Sequence, residues 1–300
     1  MIWRIVFFSR SGHAQMDDLT VFSQQNIVDV VEDELADSAE RYTSVKTPKA
    51  VLLAGQPGAG KTELASAMNR LLEHNAFLIN ADEYRRRHPN YRTLYQQHGS
   101  DVVQMTAKFS AAVTERLIDA LSNHHYNLII EGTGRTADVP RNTARLLVSK
   151  DYTVEMAVLA VRPEVSLTST LLRFYQMNEG GTIPRATAIG AHDIVVHALP
   201  GNLDILCAEP NISRLTIWDR ELQCLFDSAR DVISPSEVLT RFWASPWSDD
   251  ELQNVQAAIS YLRQMEANSH LGQDDAIDEL ERRVNSIQQI FDLGFGMNMT

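Results

Sequence analysis

Cysteine is nearly missing from this chain of 300 residues, which contains only Cys207 and Cys224. The pair lacks the C-x-x-C spacing of a zinc site or a dithiol redox motif, so neither a disulfide scaffold nor a cysteine-held metal is expected. Both are read as reduced thiols of a cytoplasmic protein. Basic residues are short as well, with 27 Lys and Arg against 39 Asp and Glu and a formal net charge of −12. That balance offers no broad attraction for a nucleic-acid backbone or an anionic membrane, and positive charge must act locally. Long apolar runs are absent too. Residues 2–8 are apolar except for Arg4, and no small-residue cleavage site follows before Gln15, so this stretch reads as neither a signal peptide nor a membrane span. Residues 1–15 are expected to be an upstream extension ahead of a natural start at Met16. The sequence shows no internal repeat and no low-complexity segment.

What is present is enough apolar content, 44%, to bury a sizeable core. Strand-like runs at residues 51–54, 76–79, 127–130 and 154–161 alternate with helical stretches at 62–73, 102–123 and 142–149. Such βαβ alternation predicts an α/β fold with a mostly parallel sheet flanked by helices. Val102, Met105, Phe109, Val113, Leu117 and Leu121 form a stripe at helical spacing and are read as core. A helix is expected before the sheet, from the periodic Ile27, Val30, Val31 and Leu35. After Pro163 a helix is predicted to 177, a break at Gly180-Gly181 and Pro184, and a second helix from 187 towards 199, ending before Pro200-Gly201. This glycine-hinged pair is a candidate lid. Two short β-like runs at 215–218 and 223–226 flank a polar turn, and charged helices follow at 251–266 and 274–290. The division expected is an N-terminal segment and helix over 1–45, a core over 46–243 with a lid at about 163–200, and a helical C-terminal extension over 244–300.

The most specific motif is Gly55-Gln56-Pro57-Gly58-Ala59-Gly60-Lys61-Thr62, which fits the phosphate-loop pattern G-x-x-x-x-G-K-[ST] between a predicted strand and a predicted helix. Its glycines permit the sharp turn whose N–H groups surround phosphates. Lys61 neutralises β/γ oxygens and the Thr62 hydroxyl coordinates Mg²⁺. In parallel α/β sheets the ligand crevice lies at the carboxyl ends of the strands. Asp82 and Glu131 both follow strand-like runs there, so both are candidates for the proton-accepting carboxylate and the Mg²⁺ shell of a kinase. The competing reading of Asp82 is a helix N-cap, and that of Glu131 a turn acid. Arg173 and Arg185, on either side of the lid break, are placed to meet charge on a transferring phosphoryl group. Arg135 and Arg141 are candidate contacts to an anionic substrate, competing with an ordinary surface role. Arg85-Arg86-Arg87 reads as a solvated face, His124-His125 as a helix end, and His192-Asp193 as a hydrogen-bonded structural pair.

Taken together, the phosphate loop, Asn80-Ala81-Asp82, His88-Pro89-Asn90, the string YNLIIEGTGRTAD over 126–138, Arg173-Phe174-Tyr175, and Arg185-Ala186-Thr187 through His192-Asp193-Ile194-Val195-Val196 resemble the zeta toxin family. The resemblance covers roughly residues 49–204, and the 126–138 string is far more specific than the phosphate loop. It implies a P-loop kinase that uses ATP and Mg²⁺ to phosphorylate the 3′ hydroxyl of the amino sugar in UDP-N-acetylglucosamine, a product that starves cell-wall synthesis. By that resemblance Lys61 and Thr62 match nucleotide and metal positions, Asp82 the catalytic base, and Arg173 and Arg185 the lid arginines. Glu115, Glu131, Thr133, Arg135 and Thr143 match substrate-binding positions. A small helical antitoxin is the implied partner, with the helix over 16–42 as its contact. Two rival readings remain at this point: another small-molecule phosphotransferase on the same scaffold, such as an antibiotic or nucleoside kinase, and a nucleotide-binding module without turnover.

Overall fold

In the computed structural model, which describes residues 19–297 with side chains through 289, residues 50–54 are buried without interruption. Such a run, lacking any polar alternation, belongs to a strand covered on both faces. Strand β1 (Lys49–Ala54) accordingly sits inside the sheet, pairing in parallel with β3 (Asn127–Glu131) on one side and β4 (Thr153–Leu159) on the other. The sheet has six strands in the order β2-β3-β1-β4-β5-β6, where β2 is Ala76–Asn80, β5 is Arg214–Trp218 and β6 is Cys224–Asp227. β4 and β5 are parallel, and β5 and β6 are antiparallel across the polar turn. This is the P-loop architecture expected from the alternation of strands and helices. The expectations about residues 1–15 and the start at Met16 lie outside the described residues.

The chain divides into two compact units. One, from residues 41–79 and 121–297, holds the sheet and the C-terminal helices. The other joins residues 19–40 with residues 80–120 and is helical. In the helical unit, α1 (Gln24–Arg41) buries Ile27, Val30 and Val31, as its periodicity predicts. Phe22, His88 and Phe109 meet edge to face there, with ring centroids 5.2 Å apart for Phe22–Phe109 and for His88–Phe109.

Three helices depart from their expected bounds for physical reasons. The stretch expected to be one helix over 102–123 is two, Val102–Met105 and Ala107–Asn123, with buried Thr106 between them turning its hydroxyl back to the Val102 carbonyl at 2.7 Å. The stripe remains core except at Met105, which is half-buried: Val102, Phe109, Val113, Leu117 and Leu121 are all fully buried. The helix expected over 142–149 runs over Asp138–Val148, because Pro140 falls in its first turn, where a missing N–H has no intrahelical partner to lose. The second lid helix spans Ile189–Cys207 and passes through Pro200. Burial of Leu199, Leu203 and Leu206 along one face outweighs the hydrogen bond that the proline cannot donate.

The C-terminal helices α11 (Asp249–Ser269) and α12 (Asp274–Met297) pack on α8 (Pro163–Glu179). Leu167, Leu171, Phe174 and Tyr175 of α8 share a buried cluster with Val255, Ile259, Leu262, Ile277, Leu280 and Val284. Among the described residues, no helix is long and apolar enough to cross a membrane.

Candidate active site

The end of β1 leads directly into the loop of residues 55–62, and the backbone there has the geometry that only glycine accommodates readily. Gly58 has φ +78°, and a Cβ at this position would lie 2.0 Å from the Ser166 carbonyl oxygen on α8. Gly60 adopts a left-handed conformation and caps the helix α2 (Lys61–Leu71), whose first residues supply the lysine and the threonine of the motif. The loop is thus a cradle of backbone N–H groups at a helix N-terminus, a ready anion site.

Lys61 is almost fully buried, and its Nζ donates to the Gly55 carbonyl at 3.0 Å. It also stands 3.6 Å from Glu131 Oε1 at the end of β3. The two strand ends are stitched together: the Gly132 N–H donates to the Leu53 carbonyl at 2.9 Å and the Gly55 N–H to the Thr133 carbonyl at 3.4 Å. Glu131 is therefore the last residue of a strand and not an acid of a free turn. Gly134, at φ +74°, sits against Leu199, and its carbonyl accepts from Asn202 Nδ2 at 2.8 Å, so α9 (Ile189–Cys207) fixes the loop that carries Thr133 and Arg135.

Behind this loop lies a set of supports, of which the sequence did not single out Arg220, Ser166 and Arg283. Gln56 is fully buried and donates from Nε2 to the Val161 carbonyl at 2.5 Å. Arg220, from the turn between β5 and β6, donates to the carbonyls of Ala59 at 3.1 Å and Gly58 at 2.9 Å. In sequence it was visible only as part of a polar turn. Ser166 pairs with His192 Nε2 at 2.8 Å, while His192 Nδ1 lies 3.2 Å from Asp193, which in turn accepts two hydrogen bonds from Arg283 of α12. Burial pushes the His192 pKa down, and the Arg283 guanidinium holds that of Asp193 below its usual value. His192-Asp193 is the structural pair that the sequence suggested.

The remaining candidates fall as follows. Arg173 is exposed on α8, and Arg185 is half-buried in the irregular segment 180–188 that separates α8 from α9. Arg135 is exposed, and Thr143 on α7 (Asp138–Val148) turns its hydroxyl to the Val139 carbonyl at 3.0 Å. Arg141 is 3.0 Å from buried Glu209, which gives it a structural ion pair. Asp82 and Glu115 belong to the helical unit. Glu115 is exposed on the helix Ala107–Asn123. The competing N-cap reading of Asp82 does not hold: Asn80 is the cap, its Oδ1 accepting from the Asp82 N–H at 3.0 Å, and Asp82 stands in the first turn with Oδ1 2.8 Å from Arg85 Nε. The solvated-face reading of the three arginines holds for Arg86 and for Arg87, which is exposed, and fails for Arg85. Arg85 also reaches the Val103 carbonyl and Arg87 pairs with Asp33 at 2.5 Å.

The zeta toxin family matches the sequence over residues 32–231. Toxin PezT of Streptococcus pneumoniae is 37% identical over 225 residues, which cover 74% of this chain and 88% of that protein. A Toxin zeta of Streptococcus agalactiae is 35% identical over 275 residues, or 91% of this chain and 95% of that one. A solved structure from the PezAT chromosomal toxin–antitoxin system of Streptococcus pneumoniae aligns with a TM-score of 0.73 at 32% identity, over 82% of this chain and 98% of that chain. The AvrRxo1-ORF1:-ORF2 complex aligns with a TM-score of 0.55 at 11% identity, over 94% and 95% of the two chains, a likeness of fold alone.

Proposed function

We propose that this chain, which belongs to the zeta toxin family, phosphorylates the 3′ hydroxyl of the amino sugar in UDP-N-acetylglucosamine and acts in the cytoplasm as a toxin against bacterial cell-wall synthesis. The observation that carries the reading is the pairing of Lys61 with Glu131 at 3.6 Å, where the phosphate loop and the strand end bearing Gly132-Thr133-Gly134 are hydrogen-bonded together. ATP bound with Mg²⁺ supplies the phosphoryl group and the screening of its oxygens. The residues fit both. The Gly58–Gly60 cradle has no room for a Cβ at Gly58, Lys61 is held at its rim, and the Thr62 hydroxyl opens the following helix. Mg²⁺ keeps several waters and asks for only one or two protein oxygens besides phosphates, which suits Thr62 with Glu131 nearby.

Each residue then has a task. Lys61 and the loop N–H groups hold the phosphates and stabilise charge as it moves to the leaving oxygen. Arg173 and Arg185 neutralise the transferring group from the lid. Asp82 takes up the proton of the acceptor hydroxyl. Glu115, Glu131, Thr133, Arg135 and Thr143 orient the sugar nucleotide, and unpaired polar groups penalise a sugar that lacks the acetamido group. A small helical antitoxin is proposed as the partner, on the N-terminal helix. The name of the PezAT toxin–antitoxin system supports that pairing by kinship.

Expression in a bacterium is expected to arrest growth or lyse cells, and Lys61→Ala to abolish the effect while leaving the fold intact. Lys61 places a point charge on phosphates and adds little to the apolar core. Unimpaired growth with confirmed wild-type expression would count against the reading.

A further inference from the structure

A glycine-rich loop is compliant, and something has to hold its peptides in the orientation that binds phosphate. Ala59 lies between Gly58 at φ +78° and Gly60 at φ +97°, so the peptides on either side of it have little intrinsic preference. Arg220 takes hold of both. Its Nε donates to the Ala59 carbonyl at 3.1 Å, and its Nη2 donates to the Gly58 carbonyl at 2.9 Å and to Ser169 Oγ at 3.0 Å.

In a trans peptide the carbonyl and the following N–H point in opposite directions, and the described residues contain no cis bond. Fixing the Ala59 carbonyl therefore aims the Gly60 N–H away from the guanidinium. The Ala59 N–H is already given to the Gln56 carbonyl at 3.1 Å, so Gly60 is where the grip of Arg220 decides the direction of a donor. The third contact ties the loop to α8. Ser169 Oγ donates to the Val165 carbonyl at 2.9 Å and keeps lone pairs for Arg220, and it lies one helical turn before Arg173. The turn that presents Arg220 is itself braced: Asp219 Oδ1 accepts from the Gln223 N–H at 2.7 Å, and the Trp218 carbonyl accepts from the Ala160 N–H at 2.7 Å.

We propose that Arg220 is a positioning residue for polyphosphate: by clamping the Gly58 and Ala59 carbonyls to Ser169, it orients the Gly60 N–H for the phosphates and joins the loop to the helix that carries Arg173. The proposal rests on the phosphotransferase reading of the same loop. It concerns the phosphates alone, so it predicts which part of the nucleotide suffers.

The test is calorimetric titration of the full chain, in Mg²⁺, with ATP and with inorganic tripolyphosphate, which touches no nucleoside site. Arg220→Ala is expected to weaken both ligands by the same factor, about tenfold for one misaligned backbone donor. Arg220→Lys should recover only part of that, because one ammonium cannot span two carbonyls and a hydroxyl as the planar fork does. Ser169→Ala should weaken both in the same direction and by less. Unchanged affinities in Arg220→Ala overturn the proposal, as does a loss confined to ATP with tripolyphosphate unaffected. If Arg220→Ala fails to fold, unchanged tripolyphosphate affinity in both Arg220→Lys and Ser169→Ala overturns it. Wild-type chain that binds neither ligand refutes the site reading and the proposal together. Wild-type chain that binds ATP but leaves UDP-N-acetylglucosamine untouched refutes only the acceptor, and the Arg220 comparison stands.

Discussion

At Asp82, one substitution separates proton transfer from local structure. With Asn80 as the helix cap, Asp82 pairs with Arg85 at 2.8 Å, with the carboxylate half exposed. Such a pair is worth roughly 0–1 kcal/mol. Asp82→Asn keeps the shape but cannot accept the acceptor's proton, so turnover is expected to fall by about 10² to 10⁴ while ATP binding and melting temperature stay close to wild type. Phosphorylation, nucleotide affinity and thermal melting measured side by side give the answer. More than about a tenth of wild-type turnover remaining would move the base elsewhere, with Glu131 the next carboxylate to examine. The placement of Lys61, Thr62 and Glu131 was legible in the sequence because it depends on local spacing, a strand followed at once by a loop. Arg220 was not, since its partners are residues 58, 59 and 169, and nothing in a three-residue polar turn announces a contact that distant.

At the scale of elements, α8 is held from two sides, and one side chain shows how. Arg162, immediately ahead of α8, is almost fully buried and donates to the carbonyls of Trp243, Ser245 and Pro246 at 2.8–3.0 Å. It also pairs with Glu251 at 3.3 Å and lies over the Phe242 and Trp247 rings at 5.7 and 5.0 Å. Glu251 serves twice, because its other oxygen accepts from the Ser248 N–H at 3.0 Å in the capping box that starts α11. Arg162→Ala would leave the partly buried carbonyls of Trp243, Ser245 and Pro246 without their donor and a gap between two aromatic rings. The expected loss is about 2–3 kcal/mol, seen as a melting temperature lower by roughly 5–10 °C. A melting temperature within about 2 °C of wild type would show that the C-terminal helices are held by their apolar cluster alone. The strands and the long helices were readable from periodicity, while the shorter helices Tyr91–His98 and Pro235–Ala244 were not. The continuation of α9 through Pro200 was not, because burial of Leu203 and Leu206 is a tertiary effect that overrides a local stop signal.

Over the whole molecule, the parallel sheet followed from alternating periodicities, and the family from one long string of residues around Glu131. Two things did not. Residues 80–120 group with residues 19–40, and the C-terminal helices share a core with α8; both are associations between segments far apart in sequence, on which composition is silent. The net charge of −12 fits the same picture, since phosphate recognition is left to a few placed cations and to backbone donors instead of a basic surface. The most direct measurement is mass spectrometry of UDP-N-acetylglucosamine after incubation with the protein, ATP and Mg²⁺, with UDP-glucose in parallel. The account predicts one added phosphate on UDP-N-acetylglucosamine, lost when Lys61 is replaced by alanine, with strong preference over UDP-glucose; an unmodified sugar nucleotide, or equal rates on the two, would contradict it.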